Sequence, residues 1–183
     1  IIGYNDLEQY ENALEIAEEG IVIGTKLHGE KSEYVFRILS RKANIHMELG
    51  NWKKAKEVFA KAEKIQNGSE WGSIKSTLEY YNDLGFLEQS QSQYDEAAKN
   101  FNRALALNSN ETGERGLDGI RDFWSYYITI QRYGNSYKKW FKETKVPARL
   151  DSAIHYHTLL MNFLDDIREK NPSNYASTFS DKF

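Results

Sequence analysis

The amino-acid sequence predicts an all-α fold, a solenoid of antiparallel helix pairs, and three observations carry that expectation. A shift of 42 residues (52 − 10, then 94 − 52) superimposes three stretches of the chain. The matched positions within each stretch step by three and four residues, which puts them on one face of an α-helix. Gly or Asn recurs where the preceding helix must stop, because those residues accept the left-handed backbone of a helix C-terminus. Internal repetition of this kind fixes an architecture more firmly than local propensity does.

The three stretches are Tyr10 to Ile23, Trp52 to Ile65 and Tyr94 to Leu107. Each opens on an aromatic, Tyr10, Trp52 or Tyr94, followed three residues later by Ala13, Ala55 or Ala97. Ala17, Phe59 and Phe101 come next, then the small residues Gly20, Ala62 and Ala104, then Ile23, Ile65 and Leu107. The small positions let a neighbouring helix approach closely and the aromatics fill the space beside them. A partner helix lies upstream in each full unit, marked by Leu39, Tyr81 and Phe123, by the small residues Ala43 and Gly85, and by Ile45 and Leu87. It stops at Gly50-Asn51 and at Ser92-Gln93, and Gly134-Asn135 offers the same signal further on.

One helical domain over residues 1–170 follows from this pattern. It comprises a partial first unit over 1–28 and units at about 31–66, 70–108 and 116–168, with a polar, irregular tail over 171–183. The last unit is irregular. Its first helix is expected from about Gly116 to Tyr133, yet the next 42-residue step lands on Ser136 and Lys139 instead of an aromatic and an alanine. The pattern returns fourteen residues late (150 − 136), as Leu150, Ala153, His157 and Leu160. Pro147 must break or bend a helix there, so residues 136–149 read as an inserted segment.

These residues resemble the tetratricopeptide repeat. That resemblance rests on Gly50-Asn51-Trp52-Lys53-Lys54-Ala55 with Phe59-Ala60-Lys61-Ala62, and on Leu84-Gly85 with Gln93-Tyr94-Asp95-Glu96-Ala97, Phe101 and Ala104. It covers roughly residues 5–135. The period is longer than the usual 34 or so residues, similar to the long-helix variety of kinesin light chains, polarity adaptors and bacterial regulators. The proline that commonly closes a unit is replaced by Asn67-Gly68 and Asn108-Ser109-Asn110. The resemblance implies a right-handed superhelical stack whose first helices line a concave side, and a protein or peptide segment held there.

Composition supports a binding role over chemistry. Hydrophobic residues make up 40% and charged residues 28%, with a formal net charge of -3. That balance gives no basic footprint for nucleic acid. There is no cysteine, hence no disulfide, thiolate metal site or cysteine nucleophile. No apolar run is long enough to insert in a membrane. The start, Ile1-Ile2-Gly3-Tyr4, carries neither an initiator Met nor a signal peptide, so the chain reads as a piece of something longer. The cytoplasm is preferred, with export or a periplasmic location left open.

His28, His46, His155 and His157 are the histidines. The last two, two residues apart on a helix, diverge too far to share a metal ion, and His157 reads as a packed residue. No phosphate-binding loop, nucleophile elbow or His-Glu-x-x-His pair occurs. No catalytic residue, metal or cofactor is therefore assigned. Asn67-Gly68-Ser69 and Asn110-Glu111-Thr112 match the glycosylation pattern by chance frequency. Trp71, Trp124, Tyr126 and Trp140 lie off the repeating positions.

The partner-binding surface is expected on first-helix residues that stacking does not use. By spacing these are Arg37, Ser40, Asn44, Met47 and Glu48; then Glu79, Asn82, Phe86 and Gln89; then Arg121, Trp124, Ile128 and Arg132. Asn side chains can bond both edges of a peptide backbone, and aromatic residues anchor binding energy. Ser40 stands where a carboxylate-clamping subset of the family has Lys, so no such clamp is expected. A peptide-sensing regulatory domain is the alternative to an adaptor module, and an enzyme accessory domain a third. Uncovered end faces invite homodimerisation or packing against flanking repeats.

Overall fold

The computed structural model describes residues 4–67, 73–109 and 117–170. The expected tail over 171–183, Trp71 and the greater part of both glycosylation matches lie outside them. Among the described residues seven α-helices follow one another: α1 (Tyr4–His28), α2 (Glu33–Glu48), α3 (Trp52–Asn67), α4 (Ile74–Ser90), α5 (Tyr94–Asn108), α6 (Phe123–Thr144) and α7 (Pro147–Lys170). A short 3-10 turn, Leu117–Gly119, precedes α6. Among the described residues the one β-type pairing is an isolated antiparallel bridge between Ser109 and Ile120. The fold is all-α, of the helical-repeat solenoid class. It contains two compact units, Ile1–Ser76 and Thr77–Phe183.

In the first unit α2 and α3 form a hairpin. Ser32 caps α2, its hydroxyl accepting from the Val35 N–H at 3.4 Å, which satisfies one of the orphan donors of a helix start. Gly50, at φ 70, reverses the chain, and its N–H and that of Asn51 donate to the Met47 and His46 carbonyls. Ala55, Ala62, Phe36 and Phe59 are buried in the hairpin, each ring contributing about 2–3 kcal/mol by leaving water. His46 is buried there too. Burial, and then Lys42 and Lys54, lowers its pKa from the usual value. Helix α1 packs on α2 through its glycines: a Cβ on Gly20 would lie 2.9 Å from Ile38 Cδ1. Lys42 pairs with Glu18 across the same contact.

The second unit repeats the motif. Ser92, at φ 58, turns the chain where Gly50 does 42 residues earlier. The small residue of α4, Gly85, meets the Phe101 ring of α5; a Cβ there would sit 2.7 Å from Phe101 Cε1. Asn108 then fixes the entry to α6. Its carboxamide donates to the Asp122 carbonyl at 2.9 Å and accepts from the Asp122 N–H at 2.8 Å. Asp122 in turn caps α6 by accepting from the Ser125 N–H. Helix α6 therefore starts at Phe123, seven residues after the expected start near Gly116 (123 − 116).

The last hairpin differs from the inserted segment expected over 136–149. Helix α6 runs unbroken through Gly134-Asn135 to Thr144, and the left-handed residue is Lys145, at φ 58. The turn has moved by eleven residues (145 − 134), which is about three helical turns, so the inward face keeps its phase. Pro147 opens α7 instead of breaking a helix, since the first turn has no need of its N–H. Gly134, which resembles a turn glycine in sequence, is the point where α7 comes close: its Cβ position is 3.1 Å from the His157 ring. The lengthened arms pack through aromatics. Tyr133 stacks on Tyr156 at 4.2 Å, Tyr137 on Trp140 at 5.9 Å, and Trp140 on Tyr94 at 5.5 Å. The Arg149 guanidinium covers Trp140 at 3.5 Å. Burial, and then its tyrosine neighbours, holds Tyr133 well above the usual phenol range. Trp140, off the repeating pattern, is thus a packing residue.

Candidate protein-interaction surface

Helix α6 carries Trp124, Ile128 and Arg132 at steps of four, one stripe on a helix surface. All three are half-buried. Trp124 and Ile128 rest on the core formed by Tyr127, Ile130, Leu160, Phe163 and Ile167. The Trp124 ring stacks on Tyr127 at 5.3 Å and 18°. Gln131 donates to the Tyr127 hydroxyl at 2.9 Å. These contacts support the tryptophan from beneath and hold its ring in a set orientation.

Arg132 ends the stripe and joins it to α4. Its Nη1 donates to Asp83 Oδ1 at 2.8 Å, and its guanidinium lies 5.1 Å from the Phe86 ring centroid. The arginine side chain is 29% exposed and the aspartate 16%, so the pair is sheltered without being sealed. A guanidinium has five N–H donors in a fixed fork. With one bond to Asp83 and a ring against its plane, further donors are held in a set direction. Lys139 donates to the Gln89 carbonyl at 3.2 Å, covering the negative end of α4. Near the turn, the Tyr94 hydroxyl donates to Glu143 at 2.5 Å. Burial, then that bond, raises the Tyr94 pKa.

The other expected residues fall in several environments. Glu79 and Gln89 are half-buried on α4, whereas Asn82 is 3% exposed and its carboxamide oxygen meets no partner among the described residues. Arg121 lies before α6, not on it, and its Nε donates to the Ser109 carbonyl at 2.9 Å, tying the loop to the end of α5. In the first unit Arg37 and Glu48 are exposed on α2 and Asn44 is half-buried. Ser40 and Met47 are buried, the serine hydroxyl donating to the Phe36 carbonyl. Asp83, which orients Arg132, is absent from the expected set. Its signal is faint: position 83 aligns with Arg41 and Ser125, so no repeat marks it as special.

Among the described residues no cluster of three His, Asp or Glu side chains could hold a metal ion. No described helix is long and apolar enough to cross a membrane.

Comparison with known proteins agrees with this architecture. The Tetratricopeptide repeat family pattern matches residues 36–68, on α2 and α3, and again residues 77–112, on α4 and α5. The fold is similar to the crystal structure of BtubC (BKLC) from P. vanneervenii, with a TM-score of 0.61 and 24% sequence identity. That likeness covers 87% of this chain and 60% of the BtubC chain. No curated protein matches the sequence. Repeats of this type bind proteins or peptides and are generally non-catalytic scaffolds. Two matched repeats on two hairpins, with the 42-residue spacing between them, make the chain a tetratricopeptide-type helical repeat protein.

Proposed function

We propose that the chain is a non-catalytic module that holds a peptide segment of a partner protein against the Trp124, Ile128 and Arg132 stripe, as one part of a larger adaptor or regulator. The observation that carries this reading is the Arg132 junction, where Asp83 and Phe86 hold a cation beside a supported tryptophan and an isoleucine. A fixed aromatic anchor next to an oriented hydrogen-bond donor is the pairing that dominates protein interfaces. Such pre-organisation also lowers the ordering cost of binding. Glu79, Phe86 and Gln89 would extend the surface along α4. Arg37, Asn44 and Glu48 supply the matching positions of α2 in the first unit.

The test is affinity capture with this chain as bait, followed by competition with peptides from whatever is retained. A Trp124→Ala, Arg132→Ala double variant should weaken a competing peptide by about thirtyfold or more, as loss of an interface anchor does. Its melting temperature should fall far less than proportionately, since neither side chain belongs to the fully buried core. Binding that persists in the double variant places the partner elsewhere and defeats the proposal.

A further inference from the structure

Helices α3 and α5 hold the same place in the 42-residue repeat and bury the same face, Ala55, Phe59 and Ala62 in one and Ala97, Phe101 and Ala104 in the other. Their exposed faces differ. Helix α5 opens on Asp95 and Glu96 and balances two acids against two bases. Helix α3 opens on Lys53 and Lys54 at the equivalent positions, has no acid in its first turn, and carries five lysines against two glutamates. All seven of these charged residues are exposed. The hairpin therefore does not require a basic helix at this place. Lysines at a helix start also oppose the helix dipole, which favours acids there. A charge pattern that the fold neither needs nor favours points to a partner.

Spacing gathers the charges. Lys53, Glu57, Lys61 and Lys64 follow at steps of four, four and three, one stripe on the helix surface, with Lys54 beside Lys61 at a step of seven. At the N-terminal end stands Trp52, 36% exposed where its counterpart Tyr94 is 4% exposed, an apolar anchor that a purely charged face lacks. No further repeat helix can cover this stripe, because stacked helices bury apolar faces and this one would seal lysines away from water. The apolar side chains of α3, Val58, Phe59 and Ile65, are already buried, so the helix has nothing to insert into a lipid surface. Glu57 narrows the choice again. A uniform polyanion would set negative charge against it, whereas a protein segment can place a neutral or basic residue at that point. We infer that the lysine stripe of α3 is a second interaction surface, and that its occupant is an acidic segment of a partner protein. The lysines draw the segment in and set its register, and Glu57 discriminates among anions.

The probe is a pair of synthetic alanine-based peptides of sixteen residues, the length of α3. One carries glutamates and a single central lysine, and in the other glutamate and lysine are exchanged. Binding to the whole chain is followed by fluorescence anisotropy. The glutamate peptide should bind at least tenfold more tightly than its exchanged partner. Lys53→Asp with Lys54→Glu, the residues that α5 has, should weaken it at least tenfold while the melting temperature holds or rises. Lys138→Glu with Lys142→Glu, the same change in net charge on exposed residues of α6, should leave binding unchanged. Equal loss in the two variants would reduce the effect to net charge and overturn the inference, and so would a fall in melting temperature that accompanies the loss at α3. Heparin, or vesicles containing phosphatidylserine, binding as tightly as the peptide would overturn the choice of a protein segment. A concentration-dependent dimer dispersed by the α3 variant would show a second copy to be the occupant, and defeats the inference too. The Trp124→Ala, Arg132→Ala variant should bind the glutamate peptide normally, which separates this outcome from failure of the α6 stripe.

Discussion

Gly85 and Gly134 are alike in the structure, each in a helix and each opposite a ring, yet they should respond differently to a methyl group. At Gly85 the added Cβ would lie 2.7 Å from the fully buried Phe101 ring, which has no room to retreat. Overpacking of that kind costs about 1–3 kcal/mol, while the gain in helix propensity returns about 1 kcal/mol at most. Gly85→Ala should therefore lower the urea midpoint. At Gly134 the gap is 3.1 Å and the neighbour, His157, is only half-buried and can shift. Gly134→Ala should change stability by less than about 0.5 kcal/mol in either direction, a small packing cost set against the propensity gain. Equal losses at the two sites would show that His157 is held as rigidly as Phe101. The sequence distinguishes the roles at one site only. Gly85 recurs in register with Ala43, whereas Gly134 is followed by Asn135 and so imitates a turn.

The same imitation explains what was and was not legible at the scale of elements. Helices α2 to α5, their turns and their buried faces follow from the 42-residue pattern, because each position there has one structural demand. The final hairpin hides its demand. Its turn falls on Lys145, a residue with no turn preference, and the extra three turns of α6 are paid for by rings at Tyr137 and Trp140 that no repeat predicts. The candidate surface was legible in part: spacing identifies Trp124, Ile128 and Arg132, but Asp83 becomes visible only once α4 and α6 are brought together. A lysine at φ 58 carries a steric cost that glycine does not, of about 1 kcal/mol. Gly50 already occupies the corresponding turn of the first unit. Lys145→Gly should accordingly raise stability by roughly 0.5–1 kcal/mol, the unfolded-state entropy of glycine limiting the gain. A lower midpoint would mean that the Lys145 side chain, 5.9 Å from the Phe141 ring centroid, matters more to the turn than its backbone does.

For the molecule as a whole, the kind of contact that dominates the proposed surface sets how binding responds to salt. The α6 stripe lies within the compact unit Thr77–Phe183 and relies on a tryptophan, an isoleucine and an arginine whose side chain is 29% exposed. Exposed charges are screened beyond about 8–10 Å at 0.1–0.15 M ionic strength, whereas partly buried ones are screened much less. The affinity of a peptide held on the stripe should therefore fall only modestly as salt rises. Titrating the competing peptide at two salt concentrations checks this. A steep loss of affinity between them would mean that exposed charges elsewhere, and not the tryptophan and the sheltered arginine, carry the binding.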